Sequence, residues 1–199
     1  MTPDIFQTDP LPKNKTSTNL SDLRSIIRRV TGHSSSLALA VVIGCSWTLG
    51  FPQVLPKEAK ADRVVVLKKD RVLTLFMHGE VLKTYRVALG GSPIGRKTRQ
   101  GDHKSPEGVY TLDRRNAHSK FYRSIHISYP NAEDRLNAGK LGVSTGGDIF
   151  LHGLPNGYGW LGRSHRLKDW TDGCIAVTND EMDEIWRAVP DGTAIEIRP

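Results

Sequence analysis

Cysteine is nearly missing from this chain: its 199 residues include two, Cys45 and Cys174. The first lies inside an apolar run and the second between a glycine and a short apolar run, so a disulfide framework is excluded as the basis of the fold. One thiol is therefore left without a structural partner. Histidine and cysteine pairs at short spacing are lacking too, which argues against a zinc site built from His152, His165 and Cys174; no metal or other cofactor is expected. No glycine-rich loop runs into Lys-Ser/Thr and a helix, so a phosphate-cradling nucleotide site is rejected. Aromatic residues make up only 7% and are not interleaved with basic ones. Net charge is +7, but the first 61 residues hold 7 Lys/Arg against 4 Asp/Glu, leaving 21 against 17 beyond them. The folded part is thus only mildly basic, and a nucleic-acid partner is not expected. No internal repeat or low-complexity tract is present.

What is there divides at about residue 61. Residues 1–33 are polar, rich in Pro, Ser, Thr and Asn, and finish on Arg24, Arg28, Arg29 and His33; disorder is expected. Residues 34–55 are the longest uncharged stretch. A basic flank, an apolar centre and then Ala59-Lys60-Ala61 reproduce the order of a secretory signal cleaved before Asp62. The same stretch also reads as an uncleaved anchor at the short limit for spanning a bilayer, or as a lipoprotein segment in which Val42-Ile43-Gly44-Cys45 is the lipidation box. All three export the domain and confine membrane contact to this segment. A buried core helix is disfavoured by Gly44, Gly50 and Pro52.

From Asp62 the pattern becomes that of strands. Arg63–Lys68, Arg71–Met77 and Glu80–Leu89 are rich in β-branched residues and separated by Lys69-Asp70 and His78-Gly79, which predicts an antiparallel meander. Gly90–Gly108 is a long loop without periodicity. Further strands are expected at Val109–Asp113, Ser124–Tyr129, Asp148–Leu151, Cys174–Val177 and Thr193–Ile197. A short polar helix is predicted over Ala132–Ala138. A second helix opens at Thr178, where Thr178 and Glu181 form a capping box and Met182, Ile185, Trp186 and Val189 give an apolar face. Gly153–Asp169 is read as a second long loop. His126 falls within a strand and is read as a packed residue rather than a catalyst.

His152 ends a short apolar strand, and Cys174 follows 22 residues later. A thiol is a strong nucleophile only as thiolate, and an imidazole is the commonest group to take its proton. Gly153 follows His152, and its carbonyl is a candidate to fix the tautomer. The N–H groups of Asp172, Gly173 and Cys174 are candidate oxyanion donors. From the pattern alone an inert packed cysteine and a polar strand-end histidine stay open beside this reading.

His152-Gly153 followed by Thr171-x-Gly173-Cys174-Ile175 resembles the signature of the L,D-transpeptidase (YkuD) catalytic domain: a histidine, a loop, then Ser/Thr-His-Gly-Cys. Ser105-Pro106-Glu107-Gly108-Val109-Tyr110 and the Ser128-Tyr129-Pro130-Asn131 turn are similar as well, and the likeness runs from about Arg63 to Pro199. The resemblance implies a mainly β, sandwich-like domain with one or two short helices and long glycine-rich loops. It implies an enzyme of the cell envelope whose partners are peptidoglycan stem peptides. The cysteine would attack the tetrapeptide stem after its third residue, expel D-alanine and pass the acyl group to an amine, cross-linking the wall or anchoring an envelope protein. Tyr129, Trp160, Arg166 and Trp170 are the substrate-contact candidates, since guanidinium and aromatic groups suit a carboxylate-rich peptide. Two departures stand out. Asp172 occupies the place of the motif's second histidine, and Ala176 the place where Asn or Arg is common. They open an alternative in which water is the acceptor, making the protein a murein hydrolase, an L,D-endopeptidase or amidase-like enzyme. A non-catalytic wall-binding module is the third reading.

Overall fold

The computed structural model describes residues 55–199. The basic tail, most of the signal-like stretch and Cys45 lie outside the described residues. Among those described, no helix is long and apolar enough to cross a membrane.

Eight strands form one sheet: β1 (Arg63–Leu67), β2 (Val72–Met77), β3 (Glu80–Arg86), β4 (Gly108–Ser119), β5 (Tyr122–Ile127), β6 (Phe150–His152), β7 (Ile175–Ala176) and β8 (Thr193–Arg198). Their spatial order is β3-β2-β1-β8-β4-β5-β6-β7. The meander of β1 to β3 is antiparallel, as its turns require, whereas β1 pairs in parallel with β8. The sheet curls until its two ends meet, because Ala88, just past β3, exchanges both backbone hydrogen bonds with Ala176 of β7 at 2.9 Å. A mainly β domain is thus observed, with the two faces of the expected sandwich drawn from one curled sheet.

Alternation places Val64, Val66, Leu73, Leu75, Leu112, Ile125, Ile127, Ile195 and Ile197 inside the curl, all buried. Helix α2 (Asn179–Ala188) closes it with Met182, Ile185 and Ala188. Its capping box is formed as read, Thr178 accepting from the Glu181 N–H and Glu181 from the Thr178 N–H. Helix α1 (Ala132–Lys140) carries a capping box of its own from Asn131 to Asp134. Three corrections apply. Strand β4 continues through the polar run Arg114–Ser119, because backbone pairing with β5 and a clamp from Arg115 hold it: the guanidinium bonds Asp191 and the Trp186 and Val189 carbonyls at the end of α2. The second long loop contains a 3-10 helix at Gly159–Leu167. Residues before Asp62 also belong to the packed body: Leu55 is 1% exposed, Ala59 and Ala61 are buried, and the Ala61 N–H donates to the Ala188 carbonyl at 2.7 Å.

The Gly90–Gly108 loop is pinned by a buried ion pair. Lys97 Nζ lies 2.8 Å from Asp102 Oδ1, and Asp102 Oδ2 accepts the Thr98 N–H at 2.8 Å. Burial pushes the Asp102 carboxyl up, but the Lys97 ammonium and three backbone N–H groups more than offset it and hold it down at about 2. A carboxylate depressed on folding stabilises above its unfolded pKa and loses that contribution as pH falls toward the folded one. The gap in stability between the protein and Asp102→Asn should therefore be about 2 kcal/mol at neutral pH. Urea unfolding repeated at decreasing pH should show that gap closing from about pH 4 toward about pH 2.

Candidate active site

In antiparallel register His152 of β6 faces Ser124 of β5, and Phe150 faces His126. Ile125 and Leu151 alternate inward to the core, so these four side chains share the outer face. A cleft of about 750 Å³ opens there, lined on one side by Asn116, Lys120, Phe121 and Ser124 of the β4–β5 hairpin and on the other by Asp148, Phe150, His152, Trp170, Thr171, Asp172 and Cys174. His126 is held at the same face by Asp113, 2.7 Å from its Nδ1.

The His152 ring is fixed from three sides. Phe121 lies 4.5 Å away and Trp170 5.8 Å away, centroid to centroid. Nδ1 is 2.7 Å from the Gly153 carbonyl oxygen, and since a carbonyl only accepts, Nδ1 carries the proton and Nε2 the lone pair. Every fully buried side-chain nitrogen or oxygen among the described residues has a partner; Nε2 has none, so it meets the open cleft. Burial lowers the imidazole pKa to about 4 against the opposing pull of the Gly153 carbonyl. At neutral pH the ring is an unprotonated base. Gly153 has no room for a side chain, because a Cβ would stand 2.8 Å from Asn179 Oδ1 and 3.1 Å from Tyr122 Cβ.

Cys174 is half-buried and unpaired. Its Sγ accepts the Phe150 N–H at 3.4 Å and its S–H points to the Asp148 carbonyl at 3.8 Å. Burial pushes the thiol above its ordinary pKa, the Phe150 N–H pulls it down, and the Asp172 and Asp148 carboxylates push it further up. The resting pair is therefore thiol and neutral imidazole. No hydrogen bond joins Sγ directly to the His152 ring among the described residues; both groups line the same cleft.

The turn before Cys174 is tied by Thr171, whose Oγ1 donates to the Cys174 carbonyl at 2.7 Å and accepts the Gly173 N–H at 3.2 Å. Of the three N–H groups read as oxyanion donors, that of Gly173 is thus engaged inside the turn. Those of Asp172 and Cys174 make no hydrogen bond among the described residues. Gly173 has φ +122, and a Cβ there would lie 2.5 Å from the Lys104 carbonyl oxygen. Gly173→Ala should cost about 3 kcal/mol through backbone strain and the clash, read as a fall in the chemical-denaturation midpoint together with lost acylation.

Of the four substrate-contact candidates, only Trp170 lines this cleft. Tyr129 is core, buried with its hydroxyl on the Thr145 carbonyl at 3.1 Å. Arg166 is ion-paired with Glu181, so its charge is committed to α2. Trp160 is 78% exposed on the 3-10 helix, beside a separate apolar groove of about 320 Å³ lined by Leu154, Leu161 and Leu167. His165 touches Trp170 and Arg166 rather than Cys174. Phe121 carried no signal in the sequence, because its place depends on how far β4 extends.

A sequence model described as the L,D-transpeptidase catalytic domain (YkuD) matches residues 61–197. The chain is 32% identical over 133 residues to YafK of Escherichia coli (strain K12), covering 63% of this chain and 46% of that protein. Among solved structures it is similar to Pgp2 of Campylobacter jejuni, described as a helical cell shape determining protein, with 25% identity, a TM-score of 0.55, and 71% of this chain and 48% of that one covered. It is also similar to Bd1075 of Bdellovibrio bacteriovorus, with 26% identity, a TM-score of 0.51, and 73% and 51% covered. The chain spans about half the length of each of these three proteins.

Proposed function

Because the chain belongs to the YkuD family of L,D-transpeptidase catalytic domains, we propose that it is an exported, cysteine-dependent transpeptidase of the cell envelope acting on peptidoglycan stem peptides. The observation that carries this reading is the oriented imidazole: His152 donates Nδ1–H to Gly153 and turns a free Nε2 into the cleft that Cys174 lines. In the first half-reaction Cys174 Sγ attacks the carbonyl carbon of the third stem residue while its proton passes to Nε2. The developing oxyanion takes the N–H groups of Asp172 and Cys174. Collapse breaks the C–N bond, Nε2 returns the proton to the departing D-alanine nitrogen, and a thioester remains. In the second, an amine attacks the thioester, forms the new amide and releases the thiolate, which regains its proton through His152. The amine belongs to another stem or to an envelope protein that becomes anchored. Residues 34–55 supply the export signal in this reading, retained as an anchor, lipidated at Cys45, or cleaved ahead of Leu55, which packs in the body.

Purified full-length protein incubated with tetrapeptide muropeptides, and in parallel with a carbapenem, should gain the corresponding mass on Cys174 and release D-alanine. No adduct on Cys174, with D-alanine release unchanged in Cys174→Ala, would sink the proposal.

Water is the acceptor in a second reading, favoured by the Asp172 carboxylate that stands 91% exposed at the cleft rim and opens this side to solvent. Shortened stems or released anchored protein would then accumulate in place of cross-linked dimers.

A further inference from the structure

The loop Gly90–Gly108 brings a second imidazole to the cysteine turn. His103 Nδ1 lies 2.7 Å from Asp172 Oδ1, at the position where this chain departs from the family motif. The contact is built into the backbone. His103 has φ +53, a left-handed conformation that costs a non-glycine residue strain and is kept only where the surroundings enforce it. The His103 carbonyl accepts the Ser92 N–H at 2.9 Å. A Cβ on Gly90 would come within 2.3 Å of that carbonyl oxygen and 3.1 Å of Gly173 Cα, so the His103 and Gly173 backbones flank one glycine that has no space for a side chain.

His103 also lines a groove of its own, of about 350 Å³, with Gly91, Ser92, Lys168 and Asp169. This groove and the thiol cleft share Trp170, Thr171 and Asp172 as a common wall. The two imidazoles therefore border the same turn. His152 is buried, oriented by a carbonyl and open to the thiol cleft; His103 is half-exposed and oriented by the Asp172 carboxylate that both hollows share. A carboxylate on one ring nitrogen orients an imidazole and fixes which nitrogen is left to meet a ligand.

We propose that the His103–Asp172 pair is the general base for the acceptor, and that the groove beside it receives an amine in the second half-reaction. The inference rests on the transpeptidase reading and adds the acceptor side to it. A primary amine arrives protonated at neutral pH and has no lone pair to attack with. Asp172 attracts the ammonium, and His103 Nε2 takes one proton from it. The freed lone pair forms the C–N bond with the thioester carbon as the C–S bond breaks. The second proton leaves the new amide nitrogen through His152 to the departing thiolate, and His103 returns its proton to solvent. The other charged groups around this side are Lys168, Lys104, Asp169 with its ion-pair partner Arg71, and Asp102 with its partner Lys97.

The test separates the half-reactions. Full-length protein is acylated with a tetrapeptide donor and the acyl-enzyme is then offered either an Nα-blocked lysine amide or hydroxylamine, which is already unprotonated at neutral pH. In His103→Ala and His103→Gln, acyl-enzyme should form at a rate within about threefold of the parent, which also reports folding. Transfer to the lysine amine should fall by about 10²-fold, while transfer to hydroxylamine stays unchanged. Asp172→Asn should sit between, since it keeps an acceptor for Nδ1–H but loses the charge. Equal losses with both acceptors, or no loss with the amine, would overturn the assignment. Absence of acylation in the parent protein would instead remove the functional reading beneath it.

Discussion

Cys174→Ala should form no acyl-enzyme with muropeptide or carbapenem, and release of D-alanine should drop by on the order of 10⁴ or more. The reason lies in how the thiol is held. Its Sγ accepts the Phe150 N–H at 3.4 Å in the cleft, and among the described residues no other thiol lines that cleft. Asp148 and Asp172, the nearest carboxylates, already work against the thiolate. In the parent protein, iodoacetamide should label Cys174 more slowly than free cysteine at neutral pH and faster as pH rises, because burial holds the thiol protonated. Rapid, pH-independent labelling in the neutral range would contradict the thiol–imidazole resting state. Intact-mass measurement after timed quenching checks both results.

His152→Ala should lower the acylation rate by about 10²- to 10⁴-fold while leaving Cys174 present and alkylatable. The deficit should itself depend on pH. In the parent, the base is lost only as pH falls through about 4, where the His152 ring takes up a proton; above that the rate is nearly level. Without the imidazole the rate follows the thiolate fraction alone, rising about tenfold per pH unit until the raised thiol pKa is reached. The two profiles should therefore converge at high pH. Parallel profiles at every pH would mean that His152 shapes the cleft without moving a proton. His152→Gln, which keeps bulk between Phe121 and Trp170, separates the two cases.

The fold was legible wherever alternation spoke for burial. Strands β1, β2 and β8 each set an apolar residue inward at every second position, and α2 announced itself by its capping box and apolar stripe. Strand β4 beyond Asp113 was not legible, since Arg114–Ser119 projects past the core and is held by backbone pairing and the Arg115 clamp. The 3-10 helix was hidden by its two glycines, Gly159 and Gly162, and by basic residues whose partners are distant in sequence, such as Arg166 with Glu181. At the site, His152, Gly153 and Cys174 could be read because each needs a particular chemistry at a particular place in the chain. Phe121 and His103 could not, because each arrives from a loop whose path is set by tertiary contacts. Tyr129 misled for a related reason: an aromatic residue at a turn looks the same in sequence whether it faces a cleft or the core.

The position of β8 bears on the order of events in time. It comes last in sequence among the eight strands, yet it lies between β1, its parallel partner, and β4. Until it arrives, the β1–β3 meander and the β4–β7 half share no ladder and are joined by the short bridges of Ala88 with Ala176 and of Gly90 with Thr171. Closing the sheet thus waits on contacts between Arg63 and Ala194 across most of the domain, a slow step for a chain whose pairing is non-local. During synthesis Cys174 is made before the strand that completes its scaffold, and its thiol spends that interval on an open sheet.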